Sequence, residues 1–244
     1  MQERDIYGEA LLDYQYGKSM EDITTYLKLP GFQQPIVDTF SLAYLFRSFA
    51  EMPALEQQAL HHCRGKILDI GCGAGSHSLY LQDKGLDVTA MDISEGAVVT
   101  CRERGLLKVV HTSVEYFGGT KFDTILLLMN GIGMTGRLRD LPEFLDLLKS
   151  LLATNGQILV DSSDIRYMYQ EDEDGTFHIP ETTPYYGEGR FVMEYQGNKG
   201  REFPWLYLEY ERLKNSAAGQ GLNCQLICRG EHYDYLARLQ KSGH

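Results

Sequence analysis

The chain has 244 residues, of which 43% are hydrophobic, enough for one α/β domain with a full core and a small added lobe. Its formal net charge of −11 and its lack of a basic stripe argue against nucleic acid as a partner. It has no apolar run of membrane-spanning length and no signal-peptide pattern at its start, so we expect a cytoplasmic protein without a membrane partner.

The first segment, residues 1–60, carries helical patterns and many aromatic residues, and we interpret it as an N-terminal helical cap. A helix over residues 36–50 would place Ile36, Phe40 and Arg47 on one apolar face. An inward-facing guanidinium needs an acceptor. Arg47 is therefore expected to pair either with a structural carboxylate or with the carboxylate of a ligand.

The second segment, residues 61–161, alternates short apolar strands with helical patterns, which is typical of βαβ units that build a parallel sheet. One helix pattern ends at Asn155-Gly156, a common C-terminal helix signal. The predicted strands are KILDI (66–70), DVTAMD (87–92), LLKVVH (106–111), FDTILLLM (122–129) and GQILVD (156–161).

The rest of the chain divides into an irregular segment and a regular one. Residues 162–207 are rich in Tyr, Gly and Pro, with one strand candidate, FVMEYQ, and are predicted to form an insertion or lid. Residues 208–244 contain a helix pattern followed by NCQLICR and YDYLARL, which are separated by only three residues. A loop this short requires an antiparallel hairpin. We therefore expect a seven-stranded, mostly parallel sheet with an antiparallel C-terminal edge and helices on both faces.

A glycine-rich turn follows the first predicted core strand. In ILDIGCGAG the glycines are Gly71, Gly73 and Gly75, an arrangement that lets a ligand approach the backbone at a helix N-terminus. The dinucleotide fingerprint would require a third glycine at position 76, which is Ser76. Asp69, two residues before the loop, would repel a pyrophosphate but could hold a cationic amino group.

A second carboxylate supports the same interpretation. Asp92 ends the second core strand, where an acid can accept hydrogen bonds from both ribose hydroxyls. A nucleoside that carries an amino-acid-like cation instead of a phosphate explains both acids. S-adenosylmethionine is such a molecule, and we predict it as the cofactor.

These strings, ILDIGCGAG and VTAMDIS, resemble those of the class I S-adenosylmethionine-dependent methyltransferases, and the order of elements is similar over about residues 60–240. The resemblance implies a Rossmann-like fold. It also implies a set of cofactor contacts: Asp69, Gly71, Cys72, Gly73 and Gly75 at the methionine part, Asp92 at the ribose and Ile93 beside the adenine.

Two further groups of contacts follow from the resemblance. The family often has an acid near the adenine amino group, where this chain reads HTSVEYF, so either Glu115 takes that role or Ser113 and Val114 bind the adenine edge. Residues at the end of the fourth strand face the methyl group and the substrate in the family, and Leu128, Met129 and Asn130 correspond to them. Asn130 is equally interpretable as a turn residue before Gly131.

The functional expectation is in-line methyl transfer to a small or medium-sized acceptor, which requires mainly positioning and exclusion of water. The alternatives are a non-catalytic S-adenosylmethionine-binding protein and an NAD-dependent oxidoreductase. Asp161, Asp164 and His178 are candidates for a general base, but the sequence does not distinguish among them. The identity of the acceptor and the oligomeric state are not predicted.

No metal site is expected. The five cysteines form no C-x-x-C pair, a pattern typical of free thiols. The acidic stretch 170–181 partly resembles a calcium loop, with Gln170, Asp172, Asp174, Gly175 and Glu181 at the matching positions. Pro180 and Pro184 disfavour the helix that such a loop requires, so a solvated acidic turn is the preferred interpretation.

Overall fold

The computed structural model of the protein describes residues 4–172, 177–179 and 185–243. The α-helices are α1 (Ile6–Gln15), α2 (Leu42–Leu45), α3 (Ala54–His61), α4 (Ser76–Asp83), α5 (Glu95–Glu103), α6 (Leu141–Leu151) and α7 (Tyr210–Gly219). The strands are β1 (Ile23–Lys28), β2 (Ile36–Phe40), β3 (Lys66–Ile70), β4 (Asp87–Asp92), β5 (Val109–His111), β6 (Phe122–Leu127), β7 (Leu152–Ser163), β8 (Glu188–Tyr195), β9 (Asn198–Lys199), β10 (Phe203–Leu206), β11 (Leu222–Arg229) and β12 (Asp234–Lys241). Within the described ranges, no helix is long and apolar enough to cross a membrane.

The larger sheet, the core sheet, has seven strands in the order β11-β12-β7-β6-β3-β4-β5. Strands β3 to β7 pair in parallel, whereas β12 runs antiparallel to both of its neighbours. The Rossmann-like fold, the mostly parallel sheet and the antiparallel C-terminal edge are thereby confirmed. Because strand order reverses between β3 and β6, a crevice opens at the carboxyl ends of these two strands.

Helices cover both faces of the core sheet, as predicted. α6 buries Phe144, Leu145 and Leu148 against one face, in a cluster that also contains Leu213 of α7. On the other face, α3 and α4 contribute to a separate apolar cluster, which includes Leu81. Strands covered on both faces must be apolar throughout, and this explains the uninterrupted hydrophobic runs in their sequences.

Two core elements differ from prediction at their ends. α6 stops at Leu151 and β7 begins at Leu152, so Asn155-Gly156 lies inside the strand instead of ending the helix. Leu152 pairs with Phe122 of β6, and this pairing extends the strand toward the helix. The strand predicted over residues 106–111 is likewise shorter, covering only Val109–His111.

A second sheet combines the N-terminal segment with the segment after β7. Its strands run antiparallel in the order β10-β8-β1-β2, and β9 pairs with β8. The helix predicted over residues 36–50 is wrong, and the N-terminal cap is not purely helical: Ile36–Phe40 is a strand, followed by the one-turn helix α2. Ile36, Val37 and Thr39 are β-branched, which favours an extended backbone, and β1 supplies the pairing partner.

The first helix packs against the core through two glycines. A Cβ on Gly96 of α5 would lie 2.4 Å from backbone atoms of Gly8, so the two helices approach closely only because both residues lack side chains. Asp5 strengthens the junction, since its carboxylate accepts hydrogen bonds from the N–H of Gly8 and from the N–H of Gly96. One carboxylate therefore satisfies free N–H groups at the start of both helices.

Candidate active site

The glycine loop, residues 71–75, connects β3 to α4 at the carboxyl edge of the core sheet. Gly71, Gly73 and Gly75 all have positive φ, between 54° and 83°, a region that favours glycine. A Cβ on Gly73 would lie 2.6 Å from the hydroxyl oxygen of Tyr7, and one on Gly71 would lie 3.1 Å from the sulfur of Met134. The turn therefore requires glycine for its conformation and at these positions also for space.

Asp92 is fixed by backbone donors on both sides. Its carboxylate accepts hydrogen bonds from the N–H of Gly73 at 2.9 Å and from the N–H of Ser94 at 2.9 Å. Burial raises the pKa of Asp92, although these N–H groups act in the opposite direction. Next to it, the apolar side chain of Ile93 is 73% exposed, as expected of a residue that could cover a flat aromatic ligand.

Asp69 is buried beneath the glycine loop. Its carboxylate accepts a hydrogen bond of 2.7 Å from the hydroxyl of Ser78, which lies in α4. Burial raises the pKa of Asp69, while the nearby His77 lowers it. Cys72 of the glycine loop and Cys101 of α5 bring their sulfurs to 3.7 Å, and this contact together with burial raises the pKa of Cys72 well above its usual value.

Three buried side chains form a charge cluster beside the loop: Arg47, Glu56 and His77. The guanidinium of Arg47 pairs with the carboxylate of Glu56, which also contacts the His77 ring nitrogen at 2.6 Å. Although burial opposes it, these two partners hold the pKa of Glu56 below its usual value. Arg47 thus points inward and has the structural carboxylate that one of the two sequence hypotheses required, although it does not lie on a helix.

The end of β6 brings Leu128, Met129 and Asn130 to the same edge. Leu128 is buried, and both Met129 and Asn130 adopt left-handed backbone conformations, with φ of 64° and 59°. The Asn130 side chain accepts a hydrogen bond from Ser162 and donates one to the backbone oxygen of Leu206. A 3₁₀ turn, Gly131–Thr135, follows and approaches the glycine loop through Met134.

The residues proposed for the adenine end lie beyond β5. Ser113 precedes a 3₁₀ turn, Val114–Tyr116, in which Val114 is buried and Glu115 is exposed. The ring of His111 contacts the backbone oxygen of Ile93 at 2.9 Å, so the chain segments that follow β4 and β5 are neighbours. The N–H of Thr112 also donates to the backbone oxygen of Asp92 at 3.1 Å, so the segment after β5 begins beside the end of β4.

Glu56 and His77 were not found from the sequence, and Tyr7 was indicated only as one of several tyrosines that could pack or close a pocket. Glu56 and His77 belong to helices whose patterns indicate only packing, and nothing local marks them as partners of Arg47. Tyr7 brings its hydroxyl to the glycine loop from α1, and burial and the charge of Asp92 raise its pKa well above its usual value. A contact between residues 7 and 73 depends on helix docking, which no spacing in the sequence reveals.

The candidates for a general base have different surroundings. Both carboxylate oxygens of Asp161 accept backbone N–H groups, from Met129 and Gly131. Asp164 accepts a hydrogen bond from the Tyr186 hydroxyl at 2.8 Å, and His178 forms an exposed ion pair with Asp172. None of the three is distinguished as a base by these contacts.

No group of three or more potential metal ligands occurs among the residues that the structure describes. The calcium hypothesis concerned five positions between Gln170 and Glu181. Asp174, Gly175 and Glu181, like Pro180 and Pro184, lie outside the described residues.

Comparison with known proteins identifies the class. A family profile described as a methyltransferase domain matches residues 42–213. A SAM-dependent methyltransferase from Bacteroides fragilis, solved with S-adenosyl-L-homocysteine, is 39% identical, with a TM-score of 0.89 over 98% of this chain and 95% of that one. The chain therefore belongs to the S-adenosylmethionine-dependent methyltransferase family, it is an enzyme of this class, and S-adenosylmethionine is its cofactor. A search of curated proteins gave no significant match.

More distant structures share the fold alone. The CcbJ methyltransferase from Streptomyces caelestis is 16% identical, with a TM-score of 0.59 over 81% of this chain and 93% of that one. The sugar N-methyltransferase KedS8 from a Streptoalloteichus species is 15% identical, with a TM-score of 0.56 over 88% and 99% of the two chains. Of the alternatives left by the sequence, membership in the family favours methyl transfer over nicotinamide chemistry and over cofactor binding without catalysis.

The residues present fit this cofactor. Among the described residues, the buried Nε atom of Arg47 has no hydrogen-bond partner, so the guanidinium can donate a further hydrogen bond despite its pairing with Glu56. Asp69 and Asp92 are buried carboxylates that could accept hydrogen bonds from an ammonium group and from a ribose, and the glycine loop leads directly into the N-terminus of α4. The donor set therefore matches an amino acid joined to a nucleoside.

Proposed function

We propose that S-adenosylmethionine binds across the carboxyl edge of the core sheet, with its methionine part between the glycine loop and Arg47. In this proposal Asp69, Gly71, Cys72, Gly73 and Gly75 line the methionine part, and Arg47 donates to its carboxylate. Asp92 binds the ribose, Ile93, Ser113 and Val114 surround the adenine, and Leu128, Met129 and Asn130 face the sulfur. The cofactor supplies an electrophilic methyl group when bound. The chain's contribution is to hold the reacting atoms in line and to exclude water.

The methyl acceptor, in this proposal, is a small molecule held between the second sheet and the 129–131 loop. The observation that carries it is the contact of that sheet with the cofactor edge. Trp205 of β10 packs so closely on the turn after the loop that a Cβ on Gly133 would lie 2.2 Å from its ring. Met129 also packs on an apolar cluster that contains Ile23 of β1 and Tyr195 of β8. Such a covered site favours a small substrate over a macromolecule.

The face of the second sheet that is turned toward the core supports a polar acceptor. Ile23 and Leu27 are buried at the two ends of β1, and strand alternation places Thr25 between them on the same face. Thr25 pairs with Asp38 of β2, whose side chain accepts a hydrogen bond from the following N–H. The hydroxyl of Thr25 donates to the backbone oxygen of Asp38, whose exposed carboxylate is the polar group available to an acceptor that has a polar or cationic group and apolar ends.

Transfer of label to fractionated acceptors tests this proposal. The protein is incubated with S-adenosylmethionine labelled with tritium in its methyl group and with one of three fractions: small metabolites, protein or nucleic acid. We expect incorporation into the small-metabolite fraction and none into nucleic acid, since the charge of −11 opposes a polyanion. Incorporation only into protein or nucleic acid would overturn the proposed acceptor class.

A further inference from the structure

Asp161 holds the backbone of the loop that follows β6. One oxygen of its carboxylate accepts the N–H of Met129 at 3.0 Å, and the other accepts the N–H of Gly131 at 3.0 Å. The side chain is buried near the end of β7, the strand next to β6 in the sheet. Two charge-assisted hydrogen bonds from one carboxylate therefore span the 129–131 loop.

The loop needs such a restraint because of its backbone conformation. Met129 and Asn130 both have φ near +60°, and two consecutive non-glycine residues rarely occupy this left-handed region. Asparagine tolerates the conformation better than methionine does, because its short polar side chain can bond locally. Strained backbone of this kind persists only where the surroundings fix it.

A second tether acts on the neighbouring side chain. The hydroxyl of Ser162 donates to the amide oxygen of Asn130 at 2.7 Å and accepts the N–H of Leu208 at 3.0 Å. Adjacent residues of β7 thus hold the loop by its backbone and by its side chain. The turn that begins at Gly131 then carries Met134 to the glycine loop, so the conformation of the 129–131 loop also affects that wall of the site.

We propose that Asp161 is a positioning residue: its carboxylate enforces the left-handed conformation of Met129 and Asn130 and thereby shapes the wall of the cofactor site. The inference rests on the proposed function of that site. Both oxygens of the carboxylate accept backbone N–H groups of the loop, so Asp161 acts on the geometry of the site without any proton transfer.

The positioning role has a consequence for pH dependence. Burial raises the pKa of Asp161 to about 6, although the backbone N–H groups lower it. The charged or titratable groups around it are Glu56 of α3, His77 of α4, Tyr44 of α2 and Tyr235 of β12. A protonated carboxyl loses its charge, and its hydroxyl oxygen is a weaker acceptor for the N–H group that it faces. The restraint is therefore strongest well above pH 6 and weakens as the pH falls through about 6.

The first test uses the ligand-free protein and needs no activity. Methionine methyl groups are labelled with ¹³C, and the Met129 resonance is assigned from its loss in Met129→Leu. We expect it to shift between pH 5 and pH 7 with a midpoint of about 6 and to lose this titration in Asp161→Asn. Asp123→Asn is the matched control, since Asp123 also accepts a backbone N–H but at the opposite end of the sheet. A titration that persists in Asp161→Asn would overturn the proposal.

The second test measures the affinity for S-adenosylhomocysteine by calorimetry. Asp161→Asn should weaken binding about tenfold at pH 7.5, because one N–H loses its acceptor and the loop relaxes. The factor by which Asp161→Asn weakens binding should be smaller in a Met129→Gly background, because glycine adopts positive φ without strain and the lost Met129 side chain affects both members of the pair alike. Equal affinity of Asp161→Asn and the parent, or an equal loss in both backgrounds, would overturn the positioning role.

One comparison does not depend on the folding of the Asp161 variant. Between pH 7.5 and pH 5 the affinity of the parent protein should fall, whereas that of Met129→Gly should fall less, whatever its absolute value. An equal fall in both would contradict the proposal. If the parent bound no S-adenosylhomocysteine at all, the cofactor site itself would be refuted, while the resonance of Met129 would still test the restraint.

Discussion

The core sheet and the second sheet present opposite cases of how sequence encodes a site. In the core, each acid and glycine at the cofactor edge lies within a few residues of a strand end, so local sequence determines its position. In the second sheet, β1 pairs with β8 across more than 150 residues, and its side chains acquire neighbours only through that pairing. The residues of a binding edge that is formed by local turns can therefore be predicted from the sequence. The residue contacts of a sheet formed by distant strands cannot.

The largest expected effect comes from breaking the buried charge cluster at Glu56, beside the cofactor edge of the core sheet. Replacing it with alanine leaves Arg47 and His77 without their buried partner, which should destabilise the fold by about 3–5 kcal/mol. The free energy of unfolding is measured by denaturant titration at pH 7. Exposed Glu143 provides the matched control, Glu143→Ala, on α6. A loss below about 1 kcal/mol would mean that the charge cluster contributes no more to stability than an exposed ion pair does.

The stabilising contribution of Glu56 depends on pH, and its direction follows from the lowered pKa of this carboxyl group. The pKa of Glu56 is lower in the folded protein than its usual value, so its stabilising contribution is present at neutral pH and is lost as the pH falls through the folded pKa. Unfolding curves of the parent and of Glu56→Gln should therefore converge in acid. Divergence toward low pH would contradict the assignment.

A substitution at Asp92 tests the contribution of the core sheet to cofactor binding. Asp92→Ala removes the acceptor for Gly73 and Ser94 as well as the proposed ribose partner. The affinity for S-adenosylhomocysteine should fall by about 1–3 kcal/mol in calorimetry. Asp87→Ala, at the other end of the same strand and paired on the surface with Lys108, serves as the control and should bind normally. Unchanged affinity in Asp92→Ala would remove this residue from the cofactor site.

The difference between the two sheets also explains which parts of the fold and of the site could be predicted from the sequence. The core strands, the glycine turn and the positions of Asp69 and Asp92 follow from patterns of local range, because strand, turn and helix succeed one another within about 30 residues. The helix expected over residues 36–50 failed because the pairing of β2 with β1 determines that backbone, and this partner is invisible to helical periodicity. Glu56, His77 and Tyr7 lie at the site only because their helices pack there, so no residue spacing in the sequence indicates their contacts.

The contact between α1 and α5 tests whether the N-terminal segment is needed at the glycine loop. Gly96→Ala would place a methyl group against the backbone of Gly8, and the helices would have to separate. We expect a loss of about 1–2 kcal/mol in unfolding free energy, since overpacking is costly but α1 can shift outward. S-adenosylhomocysteine binding should also weaken, because Tyr7 moves with α1. Gly118→Ala is the control, because a Cβ there would meet no atom within 4 Å among the described residues. Equal behaviour of the two variants would show that α1 is dispensable for binding.

The smallest effect is expected on the face of the second sheet that is turned away from the core. Tyr26 donates a hydrogen bond of 2.8 Å to Glu194 on the neighbouring strand. Tyr26→Phe should lower the free energy of unfolding by about 0.5–1.5 kcal/mol, and Tyr116→Phe, whose side chain is 89% exposed, should lower it by less. Affinity for S-adenosylhomocysteine should be unchanged in both, because this hydrogen bond lies outside the cofactor edge. A weakened affinity in Tyr26→Phe would mean that the second sheet contributes to cofactor binding as well as to the acceptor side, and the division of roles between the two sheets would then fail.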